Sequence, residues 1–118
     1  MYSPQLLDHF EHPRNSGELP EADAHVRVEN PACGDILELA IKIDAGRIAD
    51  IRFRAKGCVP AMACASAMTE LAEGKSPSQA SFISKQEVVD AVGGLPAASG
   101  HAAQLALDAL RAVLSKLG

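Results

Sequence analysis

The chain has no tryptophan, three phenylalanines and one tyrosine. Its core must therefore be aliphatic, built from Ala, Leu, Ile and Val, and such a core buries little area per residue. A bound metal or a partner is therefore expected to matter for stability. No run of Lys or Arg occurs, and 11 basic against 15 acidic side chains leave a net charge of −4. A nucleic-acid surface needs a basic stripe, and base stacking needs aromatics, so nucleic acid is excluded as a partner. Long apolar runs are also missing. The longest, Val59 to Met68, falls well short of the roughly 20 residues that span a bilayer. Asp8, His9, Glu11 and Arg14 stand where a signal peptide would carry its apolar segment. The expectation is a cytoplasmic protein with no membrane contact.

Several catalytic patterns are absent too. No C-x-x-C pair occurs, which removes zinc ribbons and thioredoxin-like sites. There is no P-loop and no G-x-S-x-G. Zinc deaminases need H-x-E with P-C-x-x-C, and neither is present. A cysteine-phosphatase loop would need Arg six residues after Cys58, where Cys64 stands.

What is present reads as a single domain over residues 1–118, with 47% hydrophobic and 22% charged residues. Ser3-Pro4 is an N-cap followed by Pro at the first helical position, and Pro13 stops that helix near His12. Ala24, Val26 and Val28 alternate with polar residues, as do Leu37, Leu39, Ile41 and Ile43, so both segments read as strands. Asp44 to Arg47 is a hairpin loop. Ile48 to Ala55 is the return strand, with Ile51, Phe53 and Ala55 inward. After Gly57-Cys58 the period becomes helical. A run opens at Pro60 and ends at Gly74, a short helix starts at Ser76-Pro77, and Ser84 to Glu87 is a capping box. Ala103, Leu107, Leu110, Leu114 and Leu117 mark a last helix. Strands first and helices later predict an α+β fold with a small antiparallel sheet.

The odd count of three cysteines, in a chain with no export signal, favours metal or sulfur chemistry over disulfides. Cys33 precedes the strongest strand and Cys58 follows its partner strand, so antiparallel pairing brings both thiols to one end of the sheet. Each has a neighbouring glycine, which allows close approach to an ion or cluster. Cys58 also sits at a helix N-terminus beside Lys56, and both features are expected to favour its thiolate. Asp35 adds a hard oxygen ligand, and His101 stands at the start of the last helix. Cys64, six residues into the helical run after Cys58, points away from it and about 9 Å further along the axis, so it is assigned to packing. His9, His12 and His25 read as surface or hairpin-packing residues.

These motifs resemble the U-type iron–sulfur cluster assembly scaffolds, the IscU, SufU and NifU N-terminal-domain proteins, over nearly the whole chain. Asp8 to Asn15 with Gly17 is similar to that family's D-H-[FY]-x-x-P-R-N-x-G. Asn30 to Asp35 is similar to its P-x-C-G-D loop, and Phe53 to Cys58 to its F-x-x-x-G-C. Gly74-Lys75-Ser76 matches a family turn. The resemblance implies a three-stranded antiparallel sheet with helices packed on it. It also implies a scaffold, not an enzyme, that takes sulfur from a cysteine desulfurase and iron from a donor. Such a scaffold holds a labile [2Fe–2S] cluster, iron or zinc, and passes the cluster to acceptor apoproteins. Carried over by motif, the cofactor and metal ligands are Cys33, Asp35, Cys58 and His101.

The chain departs from the family at His101-Ala102, where the family has H-C. The third ligand cysteine, a persulfide acceptor in several members, is replaced by Ala102. Leu95 to Ser99 also departs from the L-P-P-V-K loop that a dedicated chaperone reads. The main reading is a scaffold-like protein, a divergent paralogue with weakened assembly. The alternatives are a zinc-binding regulator of a cysteine desulfurase and a structural domain with a decayed metal site. A zinc hydrolase would need a general base at an open coordination position, and only Asp35 offers one.

Overall fold

A computed structural model describes residues 2–30 and 34–117. Helix α1 (Pro4–Glu11) comes first, then strands β1 (Ala24–Asn30), β2 (Asp35–Asp44) and β3 (Arg47–Lys56). Helices α2 (Val59–Ala72), α3 (Pro77–Ala80), α4 (Lys85–Ala91) and α5 (Gly100–Ser115) follow. The strands form one antiparallel sheet in the order β1-β2-β3. The fold is the α+β arrangement expected, a three-stranded antiparallel sheet with helices on one face.

Local chemistry sets the element ends. The Ser3 side chain accepts the Leu6 N–H at 2.9 Å, and Pro4 supplies the fixed φ of a first helical residue. The Ser3 hydroxyl also donates to the Val92 carbonyl, which fastens the N-terminal segment to the end of α4. Ala45 and Gly46, with φ of 52° and 75°, make the two-residue turn whose twist suits the β2–β3 hairpin. Ser84 and Glu87 complete the capping box of α4.

The alternation in β2 sends Leu37, Leu39 and Ile41 into the core. In β3 the strict period of two fails. The register shifts between Lys42 and Ile43, so Lys42 opposes Asp50 while Ile43 opposes Ile48. Ala49 is the extra, exposed residue of a bulge, and it allows both Ile48 and Ile51 to be fully buried.

Helix α2 lies at the centre of the helical layer, packed by α1, α4, α5 and β3. It is apolar nearly all round, as a helix enclosed on every side must be. Ala61, Ala63, Ala65 and Ala67 keep it thin enough for that position. Cys64 is fully buried on it, as expected for packing, and burial pushes its thiol up to about 12.

The N-terminal D-H-F-x-x-P-R-N segment joins α1, α2 and β3. Arg14 pairs with Asp8 at 2.6 Å, and its backbone N–H donates to Ser66 Oγ at 2.8 Å. Asn15 takes a positive φ of 59°, accepts the Phe53 N–H on its carbonyl and bonds Arg52 through its side chain. His9 departs from the surface assignment. It is buried, with Nδ1 at 2.8 Å from Ser66 Oγ on α2. His12 is exposed, and His25 lies on the open face of the sheet facing Glu38 at 3.6 Å.

Candidate metal centre

Asp35, Cys58 and His101 meet at one end of the sheet, each delivered by a different element. Asp35 opens β2 in phase with Leu37, Leu39 and Ile41, so its carboxylate lies on the core-facing side and is only 2% exposed. Cys58 is the N-cap of α2, immediately after β3. His101 is in the first turn of α5, whose body packs across β1 and β2.

The donor atoms form a compact triangle. Asp35 Oδ2 is 3.6 Å from Cys58 Sγ and 3.6 Å from His101 Nε2, and the sulfur is 4.0 Å from that nitrogen. A ligand atom from each residue falls within 4.8 Å of the other two. Asp35 Oδ1 faces elsewhere and accepts the Cys58 backbone N–H at 3.2 Å. One carboxylate oxygen is thus held by the backbone and the other is presented to the thiol and the imidazole.

The site is closed at its floor and open at its rim. The Asp35 side chain is 4% exposed and that of His101 32%. Tyr2, Gly34, Lys56, Pro60 and Ser99 line the rest of the recess. The electrostatics correct one expectation. The Cys58 thiol is shifted up from its ordinary value of 9.0, not down. Burial is the largest cause. Backbone N–H groups at Ala61 and Cys58 favour the thiolate, but the Asp35 charge adds to the opposing effect. A carboxylate folded beneath the sulfur is not visible in a helix-terminus argument.

A thiolate, an imidazole and a carboxylate oxygen are the donor chemistry that suits zinc or ferrous iron. The triangle is compact enough for one ion to reach all three. Cys33, the remaining sequence-derived ligand, lies outside the described residues; its neighbour Gly34 lines the recess and bonds back to the Asn30 carbonyl at 2.8 Å. Ala102, beside His101, is fully buried. Among the described residues no other group of three such side chains lies close enough to share an ion, and no helix is long and apolar enough to cross a membrane.

Two features escaped the sequence reading. The inward phase of Asp35 was legible from its even spacing with Leu37, Leu39 and Ile41. The burial of His9 depends on the α1–α2 contact and leaves no local signal.

The family described as "NifU-like N terminal domain" matches residues 1–117. Among curated relatives, the iron–sulfur cluster assembly scaffold protein IscU 1 of Archaeoglobus fulgidus is 45% identical over 111 residues, covering 94% of this chain and 72% of that protein. The scaffold protein IscU of Escherichia coli K12 is 39% identical over 118 residues, covering 97% and 91%. The crystal structure of a hypothetical protein superposes with a TM-score of 0.75 at 28% identity, covering 94% of each chain. The crystal structure of a SufU protein from the thermophile Fervidobacterium islandicum AW-1 shares the fold with a TM-score of 0.78 at 19% identity, covering 96% of each chain. Fold, motifs and relatives agree: the chain belongs to the NifU-like N-terminal domain family of iron–sulfur cluster assembly scaffolds.

Proposed function

We propose that this protein binds iron, and a labile [2Fe–2S] cluster as cargo, at Asp35, Cys58 and His101, with Cys33 as a further ligand. Zinc occupies the same donors when iron is absent. The observation that carries this reading is the triangle of three chemically different donors within 4.8 Å at an open recess. The protein supplies ligands and a partly shielded pocket, and performs no bond-making catalysis of its own. Residues 1–118 act as one scaffold domain in the cytoplasm, with a cysteine desulfurase as sulfur source, an iron donor and acceptor apoproteins as partners. The names of the relatives support the scaffold role.

The residues divide the work. Cys58 gives the strong, soft bond, and binding a metal displaces its thiol proton. Asp35 gives a hard oxygen that iron holds less firmly than sulfur, which favours release. His101, at the rim, is the ligand best placed to swing away when cargo leaves. Ala102 favours a second reading, a zinc-binding regulator that docks a desulfurase without building clusters, because no thiol stands beside His101 to accept a persulfide. Titrating the EDTA-treated protein with Zn²⁺ and with Fe²⁺ under anaerobic conditions tests the site. Stoichiometric binding that raises the melting temperature, and is largely lost in Cys58→Ser, is expected. Binding that ignores Cys58→Ser contradicts the assignment.

A further inference from the structure

Gly57 leaves empty a place that Asp35 occupies. A β-carbon built on Gly57 would lie 2.3 Å from Asp35 Oδ1, 2.7 Å from Cγ and 3.1 Å from Cβ, and these are its three nearest neighbours. The register explains the crowding. Ile36 pairs with Lys56 and Leu37 with Ala55, so one further step sets Gly57 opposite Asp35 in the core-facing row. Opposed residues ordinarily keep their β-carbons about 4.5–5.5 Å apart, and 3.1 Å is far inside that spacing. Conformation does not demand glycine here, because Gly57 is not among the glycines with positive φ. The backbone would accept alanine; the space would not.

The geometry points to Gly57 as a positioning residue for the metal centre. Lacking a side chain, it lets the Asp35 carboxylate lie against the backbone of residues 57–58. There Oδ1 takes the Cys58 N–H at 3.2 Å, and Oδ2 is left 3.6 Å from both the thiol and the imidazole. Asp35 then serves as a one-oxygen ligand whose distance from Cys58 is fixed by backbone contact. The metal-binding part of this inference rests on the proposed function; the seating of Asp35 does not.

A double-mutant cycle on the full-length, EDTA-treated protein tests it, using Gly57→Ala, Asp35→Ala and the pair. The readouts are the melting temperature without metal, Zn²⁺ affinity by competition with a chromogenic chelator, and the visible spectrum of bound Co²⁺. Gly57→Ala should weaken Zn²⁺ binding about 10–100-fold, the range for displacing a ligand's support. It should also alter the Co²⁺ bands as Asp35→Ala does. In the Asp35→Ala background, where only the 3.1 Å contact with the residue 35 β-carbon remains, the same Gly57→Ala change should cost much less in affinity and in melting temperature than in the parent protein. Equal losses in both backgrounds would overturn the inference, because Gly57 would then act independently of Asp35. Should Gly57→Ala fail to fold, pairing it with Asp35→Gly removes the 3.1 Å β-carbon contact as well; recovery of folding then supports the inference and failure to recover overturns it. If the parent protein binds no metal, the proposed function falls, and the coupling in melting temperature alone decides the role of Gly57.

Discussion

His9 Nδ1 and Ser66 Oγ lie 2.8 Å apart in the interface between α1 and α2, and the same oxygen receives the Arg14 backbone N–H at 2.8 Å. The Ser66 hydroxyl satisfies both neighbours when it accepts from Arg14 and donates to an unprotonated Nδ1. That arrangement requires a neutral imidazole. Burial lowers the His9 pKa below its ordinary 6.5, and the Arg14 charge lowers it further, against weaker opposition from Glu70 and Asp8.

The pH dependence of stability follows. The unfolded chain takes up the His9 proton at a higher pH than the folded chain does. The contribution of His9 is therefore fully present above about pH 6.5 and is lost as pH falls through the lowered folded value. Chemical denaturation between about pH 7.5 and pH 5.5 should show a decline that is shallower in His9→Gln. At neutral pH, His9→Ala should cost about 1–3 kcal/mol, the range for breaking a buried polar pair.

Cys58 and Cys64 should separate cleanly. Cys64 is fully buried, with its thiol pushed up to about 12, so it should resist alkylation in the native state while Cys58 reacts. Cys64→Ala should retain metal binding and lose about 1 kcal/mol of packing, on the scale of one buried methylene. Loss of metal from Cys64→Ala would show that the packing assignment is wrong.

Most of the scaffold was legible in the sequence because it rests on local chemistry. Ser3-Pro4, the alternation of Leu37 to Ile43, and Ser84 with Glu87 each specify their element within a few residues. The features that were not legible are tertiary. The Ala49 bulge breaks the period of two by one residue and shows only once Ile48 and Ile51 are both seen to be buried. The burial of His9 depends on a contact with a helix more than fifty residues away. The upward shift of Cys58 depends on burial and on the Asp35 charge, and the sequence argument counted only the helix end and Lys56. The site was partly visible: Asp35, Cys58 and His101 were named from motif and turn position. The seat that Gly57 provides appears only when the register is extended past Lys56.

Metal affinity should rise with pH through the neutral range. The Cys58 thiol is held above its ordinary 9.0, so a metal must displace a proton there at neutral pH. Zn²⁺ affinity measured from about pH 6 to pH 9 should increase more steeply in the parent protein than in Cys58→Ser. Parallel slopes would mean that Cys58 is not a ligand.

Ala102→Cys tests whether the missing thiol limits assembly. Ala102 is fully buried, one residue after His101 in the first turn of α5, so the new sulfur stands one residue along the chain from a proposed ligand. Thiolate is a softer iron ligand than carboxylate. The variant should gain cluster yield and lifetime, and the gain should be larger with a desulfurase than with free sulfide, because a persulfide acceptor is added. A parent protein that assembles a cluster as quickly and as stably as the variant would show that Ala102 is no defect.

The most direct measurement is anaerobic reconstitution with ferrous iron, cysteine, a cysteine desulfurase and a dithiol that reduces the persulfide sulfur to sulfide, followed by iron and acid-labile sulfide analysis and a visible spectrum. The expected result is iron and sulfide retained in equal amounts with the absorption of a [2Fe–2S] centre, present in Cys64→Ala and lost in Cys58→Ser. Retention of iron or zinc without any sulfide, or a cluster that survives Cys58→Ser unchanged, would contradict a cluster-carrying site at Asp35, Cys58 and His101.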